Sequence, residues 1–306
     1  IPVLNTLEIM GENARKNAIK NHGLNDTHFK KVFPEILKIV RNTSPKKSIF
    51  KQKTDNKSSE KQKVSKNKKN SRKEKEEIQT QEIDILDDDE LPKISVVTLT
   101  HNRKFMFKMA IYNFNTISYP KNKLEWVIYD TSNSDNSVED LLPSEKDRKE
   151  LNIKYISYNS EIISIGESRN RSIDYCSNNI VVFMDDDDFY PPESVKTRVS
   201  ILENSNKNII ACTTIGSFDI NKFISFIDVP PYLNTYSHRI SPATLCFRKN
   251  IINNKCRFSD ENIFECLDLF KNIDYMDFKE ISWVNVIVSL CHNFNTTSRN
   301  SLILNL

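Results

Sequence analysis

Ile180-Val-Val-Phe-Met-Asp-Asp-Asp-Asp-Phe-Tyr-Pro-Pro192 is the stretch that decides the fold. Five apolar residues run straight into four aspartates. The run Ile180 to Met184 has the length and β-branched content of a strand buried on both faces, as in a parallel sheet covered by helices. Asp185 to Asp188 then sit where that strand leaves the sheet. Open α/β sheets bind ligands at the carboxyl ends of their strands. Pro191 and Pro192 suit the first turn of a following helix. Four adjacent carboxylates raise one another's pKa unless a cation sits among them. Oxygen donors suit Mg2+ or Mn2+, and Mg2+ is held by one or two carboxylates plus substrate phosphates. The stretch reads as a divalent-metal site for a phosphorylated substrate. The rival reading is an acidic turn that caps the next helix; its place directly after a buried strand weighs against that.

Upstream, Ile94–Leu99 reads as a first strand, Phe105–Ser118 as a helix, and Trp126–Tyr129 as a second strand ending at Asp130. Ile153–Ile156 gives a third strand and Glu167–Cys176 a helix. Strands alternating with helices imply right-handed βαβ units and a mainly parallel sheet. The strand ends carry Thr100-His101-Asn102-Arg103, Asp130 and the aspartate run, so polar groups converge on one crevice. Downstream, Glu261–Phe270 reads as a helix with Ile263, Leu267 and Phe270 on one face, and Trp283–Leu290 as a late strand leading to His292.

Composition narrows the class. The 306 residues suffice for one large or two ordinary domains, and a net charge of +3 says little about partners. The 4 glycines make neither a Gly-x-Gly-x-x-Gly loop nor a Walker loop, which excludes nucleotide sites built on glycine-rich cradles. The 6 cysteines are scattered without a Cys-x-x-Cys pair, as expected of reduced, buried thiols in a cytoplasmic setting. No apolar stretch reaches the roughly 18–20 residues of a membrane span.

The N-terminal third differs. Residues 1–42 are polar except for Phe29, Val32, Phe33, Ile36, Leu37 and Val40, whose spacing predicts a small helical segment. Residues 43–90 are lysine-rich and then acidic, with almost nothing apolar, and are expected to be a disordered tether. Peripheral contact with an anionic membrane through the lysines is one reading of the basic half. No aromatics interleave them, so nucleic acid is not expected. The folded domain is expected over 91–306.

Several phrases together resemble family 2 glycosyltransferases. Ser95-Val-Val-Thr-Leu-Thr-His-Asn-Arg103 is similar to that family's opening strand, with Leu99 where proline is usual. Leu124–Asp135 looks like its second strand and Asp-Asp-Gly-Ser-x-Asp turn, with Thr131 and Ser132 replacing the second Asp and the Gly. Gly166-Glu-Ser-Arg-Asn-Arg-Ser172 is similar to its Gly-x-Ala-Arg-Asn-x-Gly segment. Met184–Asp188 matches Leu-Asp-x-Asp-Asp. Ser241–Arg248 and Phe258–Glu261 resemble the acceptor-side strand and its sequel.

The resemblance implies a GT-A-like α/β fold and inverting transfer of a sugar from a nucleoside diphosphate donor, often UDP-linked, with Mn2+ or Mg2+. It places Thr100, Asn102, Arg103, Asp130, Arg169, Asn170, Asp185 and Asp186 at the nucleotide sugar, and Asp185, Asp187 and His292 at the metal. The family's Glu-Asp pair is Glu265-Cys266 here. A thiol of ordinary pKa is a poor base, which leaves Glu265 as the expected base and Asp268, three residues on, as the reserve. The acceptor is not specified. The rival readings are a sugar nucleotidyltransferase, which normally needs a glycine-rich first loop, and a catalytically inactive module that binds a nucleotide or glycan.

Overall fold

The computed structural model describes residues 84–306 apart from 221–223, 230–235, 254–255, 294 and 296–306. The helical segment expected over 1–42 and most of the tether lie outside the described residues. The last tether residues are not free of the domain, however. Leu86 packs on the core and donates its N–H to Ser200 Oγ, and Asp88 pairs with Lys196.

The main sheet has seven strands in the order β3-β2-β1-β4-β8-β5-β9. Its first half is β1 (Ile94–Thr100), β2 (Leu124–Asp130), β3 (Ile153–Ser157) and β4 (Ile180–Phe183), all parallel. Helices α1 (Phe107–Thr116), α2 (Glu145–Glu150), α3 (Ile165–Asp174) and α4 (Ser194–Glu203) alternate with or follow them. On one face Val96, Trp126, Ile128 and Val182 meet Phe107, Phe114, Val195 and Leu202. On the other, Val97, Val127, Val181 and Phe183 meet Ile173, Phe247 and Phe258. The alternation is the period-two of a pleated strand with both faces covered. Trp126 stacks on Phe114 at 4.4 Å and donates its indole N–H to Thr98 Oγ1, which satisfies the buried polar tip.

The second half continues with β5 (Ile209–Ala211), β8 (Cys246–Arg248), antiparallel to β4 and β5, and β9 (Phe278–Glu280). A separate three-stranded sheet joins β6 (Ile215–Asp219), β7 (Ile224–Asp228) and β10 (Ser289–Cys291). The chain runs outward from β1 to β3, then returns to the other side of β1 as β4. That reversal opens a crevice at the carboxyl ends of β1 and β4, where such sheets bind ligands.

Three expectations are corrected. The strand over Ser241–Arg248 shortens to β8, because Pro242–Thr244 is a 3-10 turn. The helix over Glu261–Phe270 shortens to α6 (Cys266–Lys271), after the short α5 (Tyr236–Arg239). Phe264 sits at φ +61°, a left-handed backbone that a right-handed helix cannot continue through. The late strand shortens to β10, because Trp283–Val286 is a turn with Asn285 at φ +64°. All six cysteines are buried free thiols. Among the described residues no helix is long and apolar enough to cross a membrane.

Candidate functional site

The ends of β1 and β2 are tied together first. Thr131 N–H donates to Thr100 O, Asn102 N–H to Ser132 Oγ and Asn133 N–H to Asn102 Oδ1. Asn102 takes φ +53°, a conformation asparagine tolerates, so the chain can turn sharply off β1. This places Thr100, Asn102 and Arg103 on the wall of a cleft of about 1240 Å³, together with Arg169, Asp185, Asp187, Asp188 and Glu265. The volume exceeds the usual range of a single small-ligand pocket, about 300–1,000 Å³, and leaves room for two substrates.

Asp130 stands behind that wall. Its carboxylate accepts from Ser132 N, Val138 N and Tyr155 Oη, so it braces the turn after β2. Asn170 is likewise turned inward. Its amide donates to Phe258 O and accepts from Phe258 N, both at 3.0 Å, pinning the loop that carries Glu265 to α3. Gly166 is needed at the same seam. A Cβ there would lie 1.8 Å from Ser259 O, while its own N–H donates to Glu261 O.

The aspartates after β4 take four different roles. Asp185 faces Arg169, with Nη2 at 3.3 Å from Oδ1. Asp186 is fully buried, 2.8 Å from Arg103 Nη2, yet neither of its oxygens has a well-aligned hydrogen bond. Burial pushes its carboxyl up, to about 7, against the pull of Arg103. Asp187 Oδ2 is contacted by Arg103 Nη1, by His292 Nε2 at 3.2 Å and by Asn295 Nδ2 at 3.4 Å. Burial opposes the charge on Asp187, but the His292 hydrogen bond and the Arg103 charge outweigh it and hold its carboxyl below the usual value. Asp188 Oδ1 accepts from Ser289 Oγ and Leu290 N. With the Phe189–Val288 bridge, those bonds dock β10 on the aspartate turn and carry His292 to Asp187.

Asp187 and His292 suit a divalent cation. They stand 3.2 Å apart in an ion-pair contact, one an oxygen donor and the other an imidazole nitrogen. A carboxylate with an imidazole favours Mn2+ over Mg2+. Among the described residues no three His, Cys, Asp or Glu groups come together around one point. Asp187 and His292 could hold such an ion only together with further ligands from a bound substrate or water.

Arg169 is 3% exposed, lies over the Phe183 ring and reaches Glu265 Oε1 with Nε at 3.3 Å. It thereby links Glu265 to Asp185, and its Nη1 remains without a partner. Burial pushes the Cys266 thiol well up, so it stays protonated and cannot replace a carboxylate base. Asp268 is not brought to the cleft: it is exposed, away from the lining, and paired with Lys271. The face shared by Glu265 and Asp268 does not form, because the helix starts only at Cys266.

Sequence reasoning assigned no role to Asn295 or Phe264. Asn295 contacts both Asp187 and His292; its only sequence signal was its spacing from His292. Phe264 is half exposed beside the cleft, edge-on to His238 at 5.0 Å, and its strained φ is invisible to apolar periodicity.

Comparison with known proteins bears on the same region. Over 118 residues the chain is 23% identical to the poly(ribitol-phosphate) beta-N-acetylglucosaminyltransferase TarS of Staphylococcus aureus, in two strains. That match covers 39% of this chain and spans about a fifth of the relative's length, 20%. The structure of S. aureus TarS 1-349 in complex with UDP-GlcNAc superposes with a TM-score of 0.52 at 18% identity, covering 66% of this chain and 60% of that one. A mannosyltransferase, PcManGT from Pyrobaculum calidifontis, in complex with GDP-Man and Mn2+, gives 0.51 at 18% identity, covering 69% and 60%. These structural likenesses establish the fold, a mainly parallel GT-A-type sheet. The family described as Glycosyl transferase family 2 matches residues 95–266, from the first strand through the aspartate turn to the residue after Glu265, which is more than half of the chain; the chain belongs to that family.

Proposed function

We propose that this protein transfers a sugar from a nucleoside diphosphate donor, UDP-linked, to an acceptor hydroxyl, with inversion at the anomeric carbon and with the help of a divalent metal ion. The observation that carries the reading is the gathering of two sets of groups in one cleft: Asp187 with His292, and Glu265 tied through Arg169 to Asp185. The complexes of TarS with UDP-GlcNAc and of PcManGT with GDP-Man and Mn2+ support the donor class and the metal.

Asp187 and His292 would hold the ion, with Asp185 beside them. When bound, Mn2+ or Mg2+ would neutralise charge developing on the departing diphosphate. Thr100, Asn102 and Arg103 frame the nucleotide side, and Asp130 fixes their neighbouring turn from behind. Arg169 holds the Glu265 carboxylate in place. Glu265 takes the proton from the acceptor hydroxyl as it attacks from the face opposite the leaving group, which is what inversion requires. Fixing both substrates in one cleft supplies a further part of the rate. In this reading the catalytic unit is 91–306, with residues 84–90 laid on it, and the basic segment before them is a tether able to touch an anionic membrane.

The test is UDP release and product formation from UDP-GlcNAc with Mn2+, with and without EDTA, the anomeric configuration being read by NMR. Metal-dependent release with an inverted product supports the reading. Tight UDP binding without release from any nucleotide sugar would leave a binding module instead, the outcome that the Cys266 departure favours.

A further inference from the structure

Arg103 sits where the proposed metal would have to act. Its Nη1 contacts Asp187 Oδ2, the same oxygen that faces His292 Nε2, and its Nη2 lies 2.8 Å from Asp186 Oδ1. One carboxylate oxygen cannot serve a guanidinium and a divalent ion at full strength, because the two cations would repel each other at close range in a site shielded from water. Arg103 is nevertheless not locked in. Its side chain is 19% exposed, against 0% for Asp186 and 8% for Asp187, and it lines the cleft. It follows a turn at Asn102 that leads off β1 into the cleft.

Resting on the proposed function, we infer that Arg103 is a resident counter-cation: a divalent ion displaces it from Asp187, and the displaced guanidinium then pairs with the donor diphosphate. Arg103 thereby makes metal and nucleotide binding depend on each other. Metal alone must evict a cation with no new anion to receive it, and binds weakly. Metal with a nucleoside diphosphate brings the anion that takes up the released guanidinium. A planar, permanently charged fork suits both partners, since carboxylate and phosphate accept it in the same way. The coupling is reciprocal: if UDP tightens Mn2+, Mn2+ tightens UDP by the same factor.

The experiment is titration calorimetry on the chain of residues 1–306, as parent, Arg103→Gln and Arg103→Lys, using MnCl2 alone, MnCl2 with saturating UDP, and UDP with and without MnCl2. In the parent, Mn2+ should bind far more tightly with UDP than alone. In Arg103→Gln, Mn2+ alone should bind about tenfold tighter than to the parent or more, and UDP with Mn2+ more weakly, so that the coupling factor shrinks by a similar or larger amount. Arg103→Lys keeps a charge and should retain part of the coupling. The inference is overturned if Mn2+ alone binds Arg103→Gln no tighter than the parent while the parent still binds Mn2+ and UDP together; the functional reading then stands. Should Arg103→Gln fail to fold, the parent decides: equal Mn2+ affinity with and without UDP overturns the inference. A parent that binds neither Mn2+ nor UDP overturns both.

Discussion

Buried charge lies at both ends of the parallel strands, and apart from Asp130, which is fully bonded, the two ends are built differently. At the amino end, Glu125 is 1% exposed and fully answered: it accepts from Ser95 Oγ and Ser177 N and pairs with Lys154 at 2.8 Å. At the carboxyl end, Thr100 Oγ1, both oxygens of Asp186 and Arg169 Nη1 are buried without an aligned partner. Thr100 and Arg169 line the cleft, and Asp186 lies behind it between two lining aspartates. Buried polar groups are normally satisfied, and leaving one unmet costs about 1–3 kcal/mol. The amino end is finished without a ligand, whereas the carboxyl end leaves Thr100 Oγ1 and Arg169 Nη1 unmet beside the cleft.

The comparison breaks most visibly at Asp187. Asp187→Asn should remove Mn2+-dependent UDP binding, a loss above about 100-fold given that mere supporting groups of metal ligands cost 10–100-fold, while the melting temperature stays close to the parent's. Calorimetric binding and thermal melts measured side by side check both halves. A large fall in melting temperature with UDP affinity intact would make Asp187 a structural residue like Glu125.

Next in size is Glu265. Glu265→Gln should reduce transfer by about 10²–10⁴-fold, the usual share of general-base catalysis, with UDP affinity unchanged, since the amide still fits beside Arg169. Single-turnover transfer assays would show it. Transfer at the parent rate would remove Glu265 from the chemistry.

Glu125 should show the reverse pattern. Glu125→Ala leaves Ser95 Oγ and Ser177 N without their acceptor while Lys154 stays partly exposed, so it should lower stability by about 1–3 kcal/mol and leave UDP affinity alone. The pH dependence has a definite sign. Burial works against the Glu125 charge, but the bonds from Lys154, Ser95 and Ser177 outweigh it and hold its carboxyl below the usual value. A depressed folded-state pKa gives stability that is present above the unfolded value and lost as pH falls through the folded one. Denaturant melts should therefore show the parent's advantage over Glu125→Ala at pH 7 and its disappearance in acid below about pH 4. An advantage that persisted there would mean the loss came from packing rather than charge.

How much of this could be read from the chain follows the same division. The parallel strands were legible because most hold an apolar run, such as Trp126–Tyr129 or Ile180–Met184, that leads into a polar residue. The convergence of Thr100, Arg103, Asp185 and Asp187 followed from that alternation. The three-stranded sheet of β6, β7 and β10 was not legible: its strands are short, and its pairing depends on Asp188 and Phe189 meeting residues about a hundred positions away. Nor could the inward turn of Asp130 and Asn170 be read. A carboxylate or amide looks the same in sequence whether it meets a ligand or braces a loop, and only the count of donors around it tells. Ile263, Leu267 and Phe270 have helical spacing, but spacing carries no sign of the backbone handedness that stops the helix at Phe264.

That residue gives the smallest and most discriminating prediction. A left-handed backbone costs an L-residue about 1–2 kcal/mol, and for a bulky aromatic such a conformation marks strain. Phe264 holds φ +61° directly before Glu265, half exposed, with its ring edge-on to His238 at the cleft. Asparagine adopts this conformation readily. Phe264→Asn should therefore recover part of the strain and lose the partial burial of one ring. The two terms are each about 1–2 kcal/mol and opposite in sign, so net stability should change by less than about 1 kcal/mol. Transfer to acceptor should fall nonetheless, while UDP affinity holds, because the ring borders the side of the cleft where Glu265 lies. Calorimetric melts, UDP titrations and acceptor KM measured on one preparation separate these effects. A loss of several kcal/mol would show the ring to be ordinary packing, and the carboxyl end of the sheet would then be less purely a ligand site than the amino end is a structural one.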